Sequence, residues 1–126
     1  MEMEIKQILC RCYVNNLDKA LEVYEKLMNE PCASRFIYKE AGLEIARIKN
    51  LLIVSGSDEA LRPFRDTQAT FLVDSIIEYR TFLLAHGATV IRDLRQVPTG
   101  TNMTVRHSDG MIVEYVEHQL QPALNS

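Results

Sequence analysis

Residues 107–118 read HSDGMIVEYVEH, with one carboxylate, Glu114, inside an apolar run and with His107, Glu117 and His118 around it. Imidazole and carboxylate are the groups on which divalent metal sites and general acid–base pairs are built. The stretch therefore either supplies a corner of such a site or is a strand whose acid faces water. Alternation along an extended chain puts Ile112, Glu114 and Val116 on one side and Val113, Tyr115 and Glu117 on the other. An acid in the middle of a covered sheet face is costly unless paired, which favours a cleft position for Glu114. His107 opens a turn and reads as a solvent-exposed turn residue, His118 falls at the strand end, and His86 lies beside Gly87.

Cys10 and Cys12 are two apart in an apolar segment, so a strand would place both on one face. A thiolate pair would suit metal or redox chemistry, but the C-x-x-C spacing is absent, and two small buried hydrophobes are the expected reading. With Cys32 the cysteines number three, an odd count that does not suit a disulfide framework. The chain has no G-x-S-x-G nucleophile motif, and VSGSDEAL lacks the lysine and glycine spacing of a phosphate loop.

These groups need elements to position them, and 126 residues can bury one substantial core. With 47% hydrophobic and 25% charged residues, the composition is that of a soluble globular protein. A net charge of −3 without a Lys/Arg cluster argues against nucleic-acid binding, which needs a cationic surplus. MEMEIKQILC lacks the apolar core of a signal peptide, and no stretch approaches the ~20 apolar residues of a membrane span. A cytoplasmic protein with no membrane partner is expected.

IKQILCRCYV (5–14) reads as a strand, Asn15 and Asn16 as helix caps, and LDKALEVYEKLMN as a helix with Leu17, Leu21, Tyr24 and Met28 on one face. Pro31 is expected to stop it. SRFIYKE, LEIARIK and LLIVSGS then read as three strands, and SDEALRPFRDT as a polar link. The scheme begins again: strand ATFLV (69–73), caps at Asp74 and Ser75, helix IIEYRTFLLAH, and strands ATVIRDL, NMTVRH and MIVEYVE. Ser75 and Glu78 have capping-box spacing, and Gly87 is placed to end the helix in a left-handed conformation. Turns are expected at Pro98–Gly100 and Asp109–Gly110. A shift of 59 positions lays Val14-Asn15-Asn16-Leu17 on Val73-Asp74-Ser75-Ile76 and Ile53-Val54 on Ile112-Val113. The prediction is one α+β domain over residues 1–126, built from two paired β-α-β-β-β modules at about 5–57 and 67–118. Each is a curved four-stranded mixed sheet with one helix, and the two cup an open cleft.

This pattern resembles the vicinal oxygen chelate superfamily, which includes glyoxalase I, extradiol dioxygenases and bleomycin-resistance proteins. The resemblance is carried by VNNLDKALEVY at 14–24, FLVDSI at 71–76, HGATV at 86–90 and DGMIVE at 109–114. It implies metal ligands on the first and last strand of each module, which here fall on Leu9, Ser55, Gln68 and Glu114. Leu carries no donor atom and Ser is a poor ligand, so the resemblance implies that the chelate is incomplete. If a metal binds, Gln68 and Glu114 would hold a divalent cation weakly.

Arg11 and Tyr13 share the Leu9 face of the first strand and are expected to point toward the cleft with Gln68, Thr70 and Glu114. Two roles stand open for Arg11: an anion clamp, or an internal ion pair with Glu114 or Glu44. The expected function is binding of a small molecule by Arg11, Tyr13, Ser55, Gln68, Thr70 and Glu114, without a cofactor. The alternative is a metal-dependent lyase, isomerase or dioxygenase using Gln68 and Glu114. The resemblance also implies a homodimer.

Overall fold

The apolar stripe of the first helix finds its partner on the first sheet. In a computed structural model, which describes residues 3–97 and 99–119, helix α1 spans Leu17–Met28. Leu17 and Leu21 are buried against Ala46, Ile48, Leu51 and Ile53, and Tyr24 and Met28 pack beside them. Asn16 caps the helix by accepting the Lys19 N–H at 3.1 Å. The end is set by Asn29, two residues ahead of Pro31. Its φ of 53° is left-handed, and its N–H and that of Glu30 return to the Lys26 and Glu25 carbonyls.

The strands of this first module are β1 (Ile5–Val14), β2 (Ser34–Tyr38), β3 (Leu43–Ile48) and β4 (Leu51–Ser55), in the order β2-β3-β4-β1. Only the β1–β4 pair is parallel. A short 3-10 turn at Lys39–Ala41 joins β2 to β3. The segment read as a polar link is in part a helix, α2 (Asp58–Leu61), capped by Ser57, whose hydroxyl accepts the Ala60 N–H at 3.1 Å. Leu61 is fully buried with Leu43 and Val54 on the sheet face opposite α1, and Phe64 packs with them.

The second module repeats the plan with β5 (Ala69–Val73), α3 (Ile76–Ala85), β6 (Thr89–Val97), β7 (Gly100–Arg106) and β8 (Ile112–His118). Its order is β5-β8-β7-β6, with β5 and β8 parallel and the other pairs antiparallel. Ile76 and Tyr79 of α3 cover Val73, Met103, Val105, Val113 and Tyr115. The expected Ser75 capping bond is absent: Ser75 has cap geometry, but its side chain makes no capping hydrogen bond. The first-turn N–H of Ile76 donates to Glu117 Oε1 at 2.9 Å, so a carboxylate from β8 satisfies one of the free amides at this helix start. Gly87, with φ 85°, ends α3 in the left-handed conformation. Ala88 and Gly87 donate to the Leu83 and Leu84 carbonyls. Of the turn expected at Pro98–Gly100, Pro98 lies outside the described residues. At the Asp109–Gly110 turn, Gly110 has φ 98° and donates to the His107 carbonyl.

The fold is thus α+β with two β-α-β-β-β modules. The chain divides into two compact units, Leu9–Gln68 and the remainder, so Ile5–Ile8 of β1 belong with the second module. Two hydrogen bonds within that second unit show why: the Glu4 N–H donates to Asp74 Oδ1 and the Asp74 N–H to the Glu4 carbonyl.

Candidate functional site

Glu114 lies mid-way along β8, opposite Thr70 of β5 on one side and Thr104 of β7 on the other. Val113 and Tyr115 point to the α3 side, where they join the core, so alternation turns Glu114 to the other face. Thr70 Oγ1 donates to Glu114 Oε1 at 3.0 Å, and Asn102 Nδ2 lies 3.5 Å from Oε2. Both threonines are buried, at 2% and 6% exposure, while Glu114 is half-buried. Arg92 of β6 pairs with Thr104, so one row across the module reads Thr70, Glu114, Thr104, Arg92. Sequence reasoning named Thr70 and Glu114. It missed Asn102, Thr104 and Arg92, because their placement depends on strand register, which the composition of a single strand does not carry.

In the first module, Arg11 Nε donates to the Tyr13 hydroxyl at 2.8 Å, and the guanidinium lies 5.4 Å from the Tyr13 ring centroid. That hydroxyl faces the Phe64 carbonyl at 2.5 Å and the Thr67 carbonyl at 2.7 Å. Tyr13 therefore ties β1 to the segment that follows α2. Replacing Tyr13 by Phe removes the one hydroxyl proton these two carbonyls share, and the acceptor of Arg11 Nε, and should cost about 1–2 kcal/mol in urea unfolding. An unchanged midpoint would mean that Leu61 and Phe64 hold the segment by packing alone.

Ser55 is buried, and its hydroxyl donates to the Glu44 carbonyl at 2.7 Å. In register with Val14, it belongs to the α1 side of the sheet, whereas Arg11 and Tyr13 alternate to the other side. The Glu44 carboxylate binds Arg35 at 2.7 Å, and Arg35 also meets Asp18 at 2.9 Å. A surface pocket of about 400 Å³ opens here, lined by Asn15, Asp18, Arg35, Glu44 and Ser55 among others. Gln68 is exposed and immediately precedes β5. Leu9 is buried and offers no donor atom. Among the described residues, no group of three or more His, Cys, Asp and Glu side chains is placed to hold a metal ion.

Two expectations about other reactive groups change. Cys10 is exposed and Cys12 half-buried, rather than both buried. Burial pushes the Cys12 thiol pKa up, nearby Cys10 adds to that, and a Tyr24 hydrogen bond opposes it. His107 is no bare turn residue: its Nε2 sits 2.7 Å from the Tyr115 hydroxyl, beside Phe71. Tyr115 is 2% exposed. Burial, with Tyr79 adding, pushes its phenol from 10 up to about 12. The folded state holds this proton more tightly than the unfolded chain does. The phenol's contribution is therefore complete below pH 10 and is lost as pH rises through about 12. The difference amounts to roughly 3 kcal/mol. Urea unfolding between about pH 9 and 12 should show a decline that Tyr115→Phe reduces; an unaltered slope in the variant would contradict the assignment.

Among the described residues, no helix is long and apolar enough to cross a membrane. No model of a known protein family matches the chain, and no curated protein matches it. Solved structures do. Methylmalonyl-CoA epimerase from Mycobacterium tuberculosis shares 16% identity, covering 95% of this chain and 91% of that one, with a TM-score of 0.74. A variant of the Streptomyces coelicolor methylmalonyl-CoA epimerase, in complex with 2-nitronate-propionyl-CoA, shares 14% identity with a TM-score of 0.71, covering 93% of this chain and all of that one. At these identities the likeness establishes the fold. An uncharacterised protein from Methanosarcina mazei is 54% identical, with a TM-score of 0.88 over 95% of this chain and 98% of that one. The chain belongs to the same family as that Methanosarcina mazei protein.

Proposed function

We propose that this is a small-molecule-binding protein of the vicinal oxygen chelate superfamily that works without a complete metal chelate. The observation that carries the reading is the row centred on Glu114. It is a half-buried carboxylate on the sheet face opposite α3, hydrogen-bonded by Thr70 and Asn102 and, among the described residues, not part of any group of three or more His, Cys, Asp and Glu side chains placed to hold a metal ion. Such a carboxylate is oriented to accept a hydrogen bond from a ligand. The complex of a same-fold epimerase with a coenzyme A derivative supports small-molecule binding as the class of function. Arg11 and Tyr13 of the first module and Gln68, just ahead of β5, remain proposed contributors, whereas Ser55, turned to the α1 side, does not share their face. Arg11 and Tyr13 are already organised by the Phe64 and Thr67 carbonyls.

The donor chemistry supports the absence of a chelate. Leu9 has nothing to donate, and the Ser55 hydroxyl is engaged by a carbonyl. The alternative, a metal-dependent isomerase, lyase or dioxygenase using Gln68 and Glu114, has in its favour the epimerases that share the fold. A cytoplasmic homodimer is part of the same proposal. Three free thiols suit a reducing compartment, and Ile77, Phe82 and Leu84 leave apolar surface exposed on α3. A thermal-shift screen of neutral metabolites, carboxylic acids, phosphates and coenzyme A thioesters in the presence of EDTA tests the reading. At least one compound should stabilise the protein, and Glu114→Gln should remove most of that shift. Stabilisation only after a divalent metal is added would favour the alternative.

A further inference from the structure

Cys10 and Cys12 of β1 play no part in the site described above. In register, Cys10 stands beside Leu51 of β4 and Cys12 beside Ile53. Leu51 and Ile53 both belong to the core under α1, and Cys12 and Val14 pack against that same core. Both thiols therefore rise from the α1 side of the sheet, neighbours on one strand with fixed residues beside them. Free cysteine is among the most buried residue types, yet Cys10 is exposed and Cys12 only half-buried. A thiol pair open to solvent on a paired strand is not explained by packing.

Residues two apart on a strand have Cα atoms roughly 6.5 Å apart and parallel side chains, close to the upper limit for a disulfide. Both cysteines are free, so the pair is a dithiol. Burial and nearby Cys10 oppose ionisation of the Cys12 thiol, while a hydrogen bond with Tyr24 of α1 favours it. A cation set between the two sulfurs would offset their repulsion and take the place of their protons. Cys32 stands elsewhere: its Sγ donates to the Ser34 carbonyl at 3.0 Å, beside β2, three strands and roughly 14 Å from β1. Among the described residues, the pair is not part of any group of three or more His, Cys, Asp and Glu side chains placed to hold a metal ion. Whatever binds here must be content with two sulfurs.

We propose that Cys10 and Cys12 together bind one soft monovalent metal ion of the copper(I) class. Soft thiolates select such an ion, and two of them can complete its coordination, whereas zinc takes four ligands. On binding, two S–H bonds give way to two metal–sulfur bonds, both protons leave to solvent, and the metal keeps its oxidation state. The exposed Cys10 gives the ion access, and Tyr24 steadies the sulfur of Cys12. The site uses none of the residues of the small-molecule reading and stands independently of it.

Anaerobic titration of the reduced full chain with copper(I), in competition with the chromogenic chelator bicinchoninate, tests it. One equivalent should bind per chain, and Cys10→Ser should weaken binding by about a hundredfold or more. Cys10 is exposed, so this variant should keep its fold. Cys12→Ser should weaken binding as much, and Cys32→Ser should leave it unchanged. X-ray absorption of the complex should show two sulfur neighbours, and equimolar zinc should not displace the ion. Failure of the wild type to compete with the chelator, undiminished binding by Cys10→Ser, or displacement by equimolar zinc would overturn the proposal.

Discussion

Replacing Leu61 by Ala should destabilise the protein by about 3 kcal/mol, within the range for a buried leucine. Leu61 sits in a segment that is polar by composition, SDEALRPFRDT. A substitution in an exposed link would change stability by no more than about 0.5 kcal/mol. The difference follows from packing. Leu61 is fully buried against Leu43 and Val54, and Ala60 and Phe64 pack around the same cluster. The segment therefore folds back as a cover on the sheet face opposite α1, tethered by the Tyr13 hydroxyl. Truncation would leave a cavity among side chains fixed by strand pairing on two sides, where relaxation is limited. Urea unfolding of Leu61→Ala, with Arg62→Ala as an exposed neighbour for comparison, measures it. A loss below about 1 kcal/mol would show that this cover contributes little.

Gly100→Ala should be at least as damaging, by about 3 kcal/mol or more. Gly100 has φ 149°, and a Cβ there would fall 2.1 Å from the Glu117 carbonyl oxygen and 2.8 Å from the Gln119 nitrogen. Both contacts are backbone, so no side chain can swing aside. Gly100 pairs with His118 at the start of β7, and relief would require opening the β7–β8 ladder at that end. The same ladder sets Asn102 and Thr104 beside Glu114. The variant should therefore lose ligand-induced stabilisation as well as intrinsic stability. Wild-type stability in Gly100→Ala would contradict the close approach. Gly110→Ala is the contrast: a Cβ there meets nothing within 4 Å, leaving only the strain of φ 98°.

The elements of this fold were legible because their patterns are local. The α1 stripe of Leu17, Leu21, Tyr24 and Met28 faces the core. ATFLV forms a strand of those five residues, and Gly87 ends α3 in the left-handed conformation. Features that depend on tertiary partners were not legible. Ser75 makes no capping bond, and the Ile76 N–H beside it is satisfied instead by Glu117, from a strand some forty residues on. His107 is drawn from the turn toward Tyr115 by a hydroxyl that needs a partner once buried. In the supposed link, Leu61 and Phe64 stand three apart behind a Ser-Asp-Glu start, a helix signal outweighed by the flanking charges.

The candidate site divides in the same way. Alternation alone assigned Glu114 to the face opposite the helix, and the core packing of Val113 and Tyr115 agrees. Ser55 was placed by counting along the repeat, yet its register with Val14 puts it on the α1 side. The arginines of β6 escaped notice because irregular pairing between Val90 and Arg95 disrupts simple alternation. Only their partners on β7 reveal which way they face.

The central claim is that the Glu114 face binds its ligand without a resident metal. Elemental analysis of protein purified without chelators, paired with unfolding temperatures with and without EDTA, tests it most directly. The prediction is far less than one equivalent of any divalent metal and the same unfolding temperature in both conditions. One tightly bound equivalent that EDTA strips with a fall in stability, and that Glu114→Ala abolishes, would contradict it.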